Sequence, residues 1–97
     1  MRKITNEIVL AFNNNETLKR SNTETNGTAI WLHGNKIAEK RDGSLWISNA
    51  GWFTKTTKER LNALYGVSIQ QKKGQWFLNS KPWSGEWVNT SDWTAKI

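Results

Sequence analysis

The stretch TAIWLHGNKIAEKRDGSLWIS, residues 28–48, decides the fold, because two turn dipeptides separate its three short apolar runs. Gly34-Asn35 and Asp42-Gly43 suit the positive φ angles of two-residue hairpin loops. The runs TAIWLH, KIAEKR and SLWIS are therefore predicted to form a three-stranded antiparallel meander. Two-residue loops would place Trp31, Ala38 and Ile47 in one cross-strand row.

Both faces of this predicted meander carry apolar side chains. Leu32, Ile37, Ile30 and Trp46 fall on the face opposite the Trp31 row. Either both faces are covered by the rest of the chain, or one of them presents an apolar surface to a partner.

A short helix is predicted after the meander, at residues 57–65. Thr56 and Glu59 have the spacing of a capping box, and Gly66 supplies the left-handed stop. One face would hold Leu61, Leu64 and Tyr65, with Arg60 flanking it and Lys58 and Asn62 on the far side. A helix of this length is unstable alone, so it is expected to pack on the sheet.

The following segment predicts a hairpin around the dipeptide Lys73-Gly74. Its inner face would hold Val67, Ile69, Gln71, Trp76 and Leu78, and Phe77 would face outward beside lysines. The tail KPWSGEWVNTSDWTAKI, residues 81–97, has tryptophans between turn formers. It is expected to wrap over the domain, with residues 86–89 available as an edge strand.

The N-terminal residues lack the clear turn pattern of the meander. EIVLAF, residues 7–12, is interpreted as a short strand, and the Asn- and Thr-rich residues 13–28 as a loop or weakly ordered arm. The expected organisation is an N-terminal strand and polar arm at 1–27, followed by a compact α+β domain at 28–97. That domain would hold a mostly antiparallel sheet of about five strands, one short helix and the Trp-rich tail.

Composition limits the class of protein. The chain of 97 residues has 14 Lys and Arg against 8 Asp and Glu, a net charge of +6. This balance favours a polyanionic partner, either nucleic acid or the acidic face of another protein, although it also serves solubility. There is no cysteine, which favours a reducing compartment. No apolar run approaches the roughly 20 residues that span a bilayer, so a soluble, cytoplasmic protein is expected.

The inventory of catalytic groups is thin. His33 is the only histidine, and the sequence holds no thiol, phosphate-binding loop or dinucleotide fingerprint. We therefore predict that the protein is not an enzyme and uses neither cofactor nor metal. A hydrolase built from two carboxylates stays open in principle, because residues distant in sequence can meet.

Basic residues interleaved with aromatic residues favour nucleic-acid binding. Cations neutralise phosphates, and aromatic rings stack on unpaired bases. The predicted phosphate contacts are Lys55, Lys58, Arg60, Asn62, Lys72 and Lys73, with Trp52 or Phe77 as the stacking residue. The alternative is structural, since tryptophan belongs in a small core and lysine on solvated faces.

Three segments together resemble a group of short proteins encoded in tailed-bacteriophage genomes: WLHGNKIAEK, LWISNAGWFTKTTKERLNAL and QWFLNSKPWSGEW. The resemblance covers residues 28–88. It implies a phage accessory protein that acts in the cytoplasm of the bacterial host. Such proteins commonly bind nucleic acid or block a host enzyme, so the rival hypothesis to nucleic-acid binding is an inhibitor that occupies a host protein.

Overall fold

The computed structural model describes residues 3–90, which form two helices and nine strands. The helices are α1 (Lys3–Asn13) and α2 (Lys55–Asn62); the strands are β1 (Leu18–Arg20), β2 (Thr23–Thr25), β3 (Ala29–Leu32), β4 (Asn35–Arg41), β5 (Ser44–Ile47), β6 (Ile69–Lys72), β7 (Gln75–Leu78), β8 (Lys81–Pro82) and β9 (Val88–Asn89). The α+β prediction is confirmed, with more strands in the described residues than the five expected.

The strands form two antiparallel sheets. The large sheet has the order β1-β2-β3-β4-β5-β9, and the small sheet has the order β6-β7-β8. The predicted meander is therefore the centre of the large sheet. Two strands extend it on the N-terminal side, and β9, within the segment predicted as an edge strand, pairs with β5 on the other side.

The second meander turn is confirmed, and the first lies one residue earlier than predicted. Asp42 and Gly43 have φ angles of 48° and 79°, and Ala38 lies opposite Ile47 as expected. The first turn uses His33 and Gly34, with φ angles of 52° and 79°. Such a turn needs positive φ at both central residues, and histidine tolerates this conformation better than most residues.

The shifted turn corrects the predicted pairing of Trp31, and a β-bulge lies between Ile30 and Trp31. Ile30 lies opposite Ala38, whereas Trp31 lies opposite Lys36. The buried cross-strand row is therefore Ile30, Ala38 and Ile47, each at most 1% exposed. Trp31 is left half-buried on the other face.

The predicted N-terminal strand is wrong, because residues 3–13 form helix α1. Its buried residues Thr5, Ile8, Ala11 and Phe12 recur at helical spacing, whereas Leu10 is 63% exposed. The run EIVLAF is too short to separate a helix from a strand by itself. The helical period becomes visible only when the preceding residues are included.

The prediction of an irregular arm at 13–28 is also wrong, since this segment holds the β1–β2 hairpin. Thr23 and Thr25 are buried, and their hydroxyl groups form hydrogen bonds. That of Thr25 donates to the carbonyl of Ala29 at 2.7 Å and accepts from the backbone of Gly27 at 3.0 Å. Polar side chains whose hydrogen bonds are satisfied can be buried, so the polar composition of this segment does not imply disorder.

Helix α2 begins and ends earlier than predicted. Thr54 is its N-cap, and its hydroxyl accepts a hydrogen bond from the backbone of Thr57 at 3.2 Å. The expected capping box at Thr56 is wrong, because the carboxylate of Glu59 accepts hydrogen bonds from Thr5 and Arg60 instead. Tyr65 lies beyond the helix and is 95% exposed.

One hydrophobic core joins the two helices and the two sheets. It contains Ile8 and Phe12 of α1, Ile30, Leu32, Ile37, Ala38 and Ile47 of the large sheet, Leu61 of α2, Leu64 and Val67 beyond it, Ile69, Trp76 and Leu78 of the small sheet, and Trp83. Ile69 lies opposite Leu78, and Gln71 lies opposite Trp76, as the sequence predicts. The tail residue Trp93 lies outside the described residues.

Candidate functional site

The positive charge is concentrated in one part of the chain. Residues 50–85 contain six Lys or Arg and one Glu, so they carry five of the six net positive charges. This segment holds α2 and the whole small sheet.

Four predicted contact residues belong to two elements that contact each other: Lys55 and Lys58 lie on α2, and Lys72 and Lys73 lie at the end of β6 and in the turn after it. We call these four residues the lysine face. The Nζ of Lys58 donates to the Oε1 of Gln71 at 3.3 Å, which brings the start of α2 beside β6. Lys55 lies nearly one turn before Lys58 and shares its side of the helix. No carboxylate among residues 3–90 forms an ion pair with these four ammonium groups.

Phe77 lies near Lys72, one of these four lysines. It is half-buried on the small sheet, between Gln70 and Pro82 on the neighbouring strands. Together with Gln70, Gln71, Lys72 and Ser80 it lines a shallow, open depression of about 590 Å³. The structure thus brings together the predicted aromatic residue Phe77 and the predicted cation Lys72.

Trp52, the other predicted stacking residue, lines a separate cavity. Its side chain is 55% exposed in the loop between β5 and α2. The two cavities share no lining residue, so Trp52 and Phe77 do not form one stacking platform. The neighbouring Phe53, which the sequence analysis did not single out, packs edge-on against Trp76 at 5.1 Å between ring centroids. That contact anchors the loop that carries Trp52.

Arg60 is not a surface contact, which corrects the prediction for this residue. It is 3% exposed. Its guanidinium donates to the hydroxyl of Thr23 at 3.0 Å, to the carboxylate of Glu59 at 2.6 Å, and to the hydroxyl of Thr5. Arg60 therefore ties α2 to α1 and to β2. A phosphate cannot reach a guanidinium held in this way.

Asn62 is also occupied within the fold. Its Oδ1 accepts from the backbone nitrogen of Ile69 at 2.6 Å, and its Nδ2 donates to the carbonyl of Ile69 at 3.1 Å. The side chain thereby satisfies both backbone groups at the start of β6. We assign Asn62 to positioning the small sheet against α2, and thus only indirectly to the lysine face.

A second surface lies on the large sheet and combines indole rings with cations. The guanidinium of Arg41 lies 4.8 Å from the ring centroid of Trp46 and 5.2 Å from that of Trp87. The Nζ of Lys36 lies 5.8 Å from the ring of Trp31. We call these five residues the indole–cation face. The sequence does not predict this face, because the first meander turn is predicted one residue too late. That register puts Trp31 and Trp46 on opposite faces of the sheet.

Glu39 organises the cations of this face. Its carboxylate accepts hydrogen bonds from Arg41 at 2.7 Å and from Lys36 at 3.3 Å. The hydrogen bond from Arg41 is the main cause that lowers the pKa of Glu39 below its ordinary value, with Lys36 adding to it and partial loss of hydration opposing it.

The described residues show neither of two other kinds of site. Among residues 3–90, no group of three His, Asp or Glu side chains is placed to hold a metal ion. Within the same residues, neither helix has the length and apolar character that a membrane span requires.

The comparisons with known proteins identify the family. The model of the Kyanoviridae Gp96 protein family matches residues 1–96, a range that includes the N-terminal residues outside the resemblance noted above. Kyanoviridae are tailed phages of cyanobacteria. No curated protein and no solved structure shows significant similarity to the chain. The match covers nearly the whole sequence, and the chain belongs to the Kyanoviridae Gp96 protein family, a family of small phage-encoded accessory proteins.

Proposed function

We propose that this phage accessory protein binds nucleic acid in the cytoplasm of the host cell and catalyses no reaction. The observation that carries the proposal is the lysine face, whose four cations belong to the contacting elements α2 and β6 and to the turn after β6, and have no ion-pair partner among residues 3–90. Ammonium groups that no carboxylate neutralises can replace the counterions of a phosphate backbone, and the release of those counterions drives binding.

The surroundings of the lysine face suit the rest of a nucleotide. Gln70 and Gln71 lie beside Phe77 and Lys72, and their amide nitrogens can donate to base edges or sugar hydroxyls, while the amide oxygen of Gln70 can accept from them. Phe77 offers part of a ring to an unpaired base. Stacking of this kind contributes about 1 to 3 kcal/mol per base and tolerates any base sequence. A binding mode with little sequence specificity is therefore expected.

A salt titration tests this proposal. Binding of labelled single- and double-stranded DNA and RNA is measured by fluorescence anisotropy between low and moderate salt. If each of the four lysines contacts one phosphate, the logarithm of the association constant should fall with that of the salt concentration with a slope of about −3 for single strands. The quadruple variant with Lys55, Lys58, Lys72 and Lys73 changed to Gln should lose most of this slope.

The control replaces two lysines outside the face, Lys3 and Lys19, which are both exposed, and is compared with the double variant of Lys72 and Lys73. The control variant should bind nearly as the original protein does. Failure of all four nucleic acids to bind at low salt would refute the proposal, and so would equal losses in the two sets of variants.

The second candidate is a protein that occupies and blocks a host protein. The indole–cation face favours it, because exposed tryptophan and arginine are the residues most often found at interface hot spots. Host proteins retained by the immobilised protein from a cyanobacterial lysate would test this candidate. Capture should be lost on changing Arg41 or Trp87 to Ala and should persist in the quadruple lysine variant. If both Ala variants retain the same host proteins as the original protein, the second candidate is contradicted.

A further inference from the structure

We infer that the cavity beside Trp52 holds one unpaired nucleobase of a single strand whose phosphates lie on the lysine face; this rests on the proposed function. The cavity has a volume of about 200 Å³ and lies between the β3–β4 turn and the start of α2. Its apolar lining comes from Leu32, Ile37 and the indole of Trp52. Leu32 and Ile37 belong to the rigid core, so this part of the wall is preformed.

The polar lining supplies groups that can read the edge of a base. It consists of His33, Thr54, Thr56 and Thr57. The hydroxyl groups of Thr54 and Thr57 lie 3.0 Å apart and are committed to the start of α2. The hydroxyl of Thr56 forms no hydrogen bond within residues 3–90. The Nε2 of His33 lies 3.4 Å from the amide nitrogen of Asn22, and within residues 3–90 its other ring nitrogen forms no hydrogen bond.

The size of the cavity decides what fits. Pockets for drug-sized ligands hold about 300 to 1,000 Å³. At about 200 Å³, this cavity suits a single flat ring system and leaves the sugar and phosphate outside. An indole wall, two aliphatic side chains and a few polar groups are the surroundings that a stacked heterocyclic base requires.

The chain connects this cavity to the lysine face. Lys55 lies between Thr54 and Thr56, both of which line the cavity, and Lys58 follows three residues later. A base in the cavity therefore leaves its phosphate beside Lys55, and the next phosphates can continue toward Lys58 and the β6–β7 turn. A base within a duplex is paired and stacked and cannot enter, so the cavity selects single strands.

Paired measurements on single-stranded and duplex oligonucleotides of one sequence test this inference. Trp52→Ala should weaken single-strand binding about ten-fold or more and leave duplex binding within about two-fold, because only the single strand uses the indole wall. Thr56→Val should weaken single-strand binding several-fold. Neither change should alter the salt slope, since the phosphate contacts remain. The control Tyr65→Ala removes another exposed ring, outside the cavity, and should have no effect.

The outcomes separate this inference from the proposed function. If the lysine variants weaken binding while Trp52→Ala and Thr56→Val bind single strands as the original protein does, the cavity assignment is overturned and the proposed function stands. If Trp52→Ala weakens the binding of single strands and of duplexes equally, the cavity assignment is also overturned. If a nucleoside monophosphate binds as tightly as the strand, the cavity is a mononucleotide site and the assignment to a strand is wrong. Absence of all nucleic-acid binding would instead be the failure of the proposed function itself.

Discussion

Arg60 shows at the scale of a single residue why charge on a helix does not identify a binding contact. The sequence places it at the flank of an apolar face, where a long side chain can point either to solvent or inward. Inward is favoured here because Thr5, Thr23 and Glu59 offer acceptors from three different elements. Two of these acceptors are more than 30 residues away in sequence, so no local sequence pattern predicts that Arg60 contacts them.

Arg60→Met is therefore expected to lower the free energy of unfolding by about 3 kcal/mol, because buried hydroxyl groups and a carboxylate lose their donor. Urea denaturation measures this change. The control Lys58→Met removes a lysine two residues earlier and should change the stability by no more than about 0.5 kcal/mol. A folded Arg60→Met protein with unchanged stability and lost nucleic-acid binding would restore the original surface interpretation.

Glu39 allows a prediction about pH. Arg41 is the main cause of its lowered pKa, so Arg41→Gln should raise the pKa of Glu39 toward its ordinary value of 4.5. A carboxylate with a lowered pKa stabilises the folded state above its unfolded pKa, and this contribution is lost as the pH falls through the folded pKa. The stability difference between the original protein and the variant should therefore shrink in acid. Carboxyl NMR titration measures the shift. The control Lys19→Gln should leave the pKa of Glu39 unchanged. If the pKa is also unchanged in Arg41→Gln, the assignment of Arg41 as the main cause is contradicted.

At the scale of elements, turn chemistry was more informative than apolar runs. Asp42-Gly43 and Lys73-Gly74 lie in the turns where the sequence places them, since their positive φ angles limit the choice of residues. The strand prediction for residues 7–12 is wrong because a short apolar segment fits a helix or a strand equally well. The predicted bounds of α2 lie too late in the chain because several threonines can each serve as the N-cap. Which of them caps the helix depends on packing.

Gly27 tests how tightly α1 and the large sheet meet. Its φ angle is +89°, and an added Cβ would lie 2.5 Å from the carbonyl carbon of Asn15 at the end of α1. Gly43 also has a positive φ angle, +79°, but an added Cβ there meets nothing within 4 Å. Gly43→Ala should therefore cost about 1 kcal/mol from backbone strain alone. Gly27→Ala should cost at least about 2 kcal/mol more, because backbone atoms must move apart.

Thermal or urea unfolding of the two alanine variants measures this difference. Equal losses of stability at both positions would show that the end of α1 yields easily, and that the helix is only loosely attached to the sheet.

At the scale of the whole molecule, the sequence predicts the α+β class, the central meander and the basic character, because each of these depends on local patterns or on composition. It does not predict the division into two sheets or the attachment of α1, since these depend on contacts between distant residues. The same limit applies to the candidate site. The lysines could be named in advance, but the cavity beside Trp52 required β3 and α2 to be placed together.

The last prediction concerns residues 1–27, which the sequence suggests are an appendage and the structure places in the core. Without them the core loses Ile8 and Phe12, β3 loses its partner β2, and Arg60 loses the hydroxyl groups of Thr5 and Thr23. A small domain has little stability to spare, so a chain of residues 28–97 is expected not to fold. Its amide NMR spectrum should be poorly dispersed and its thermal transition non-cooperative, in contrast to those of the full chain. A dispersed spectrum and a cooperative transition from residues 28–97 would show instead that α1 and the β1–β2 hairpin are not needed for folding. The core would then be stable without α1, the helix whose Thr5 accepts a hydrogen bond from Arg60.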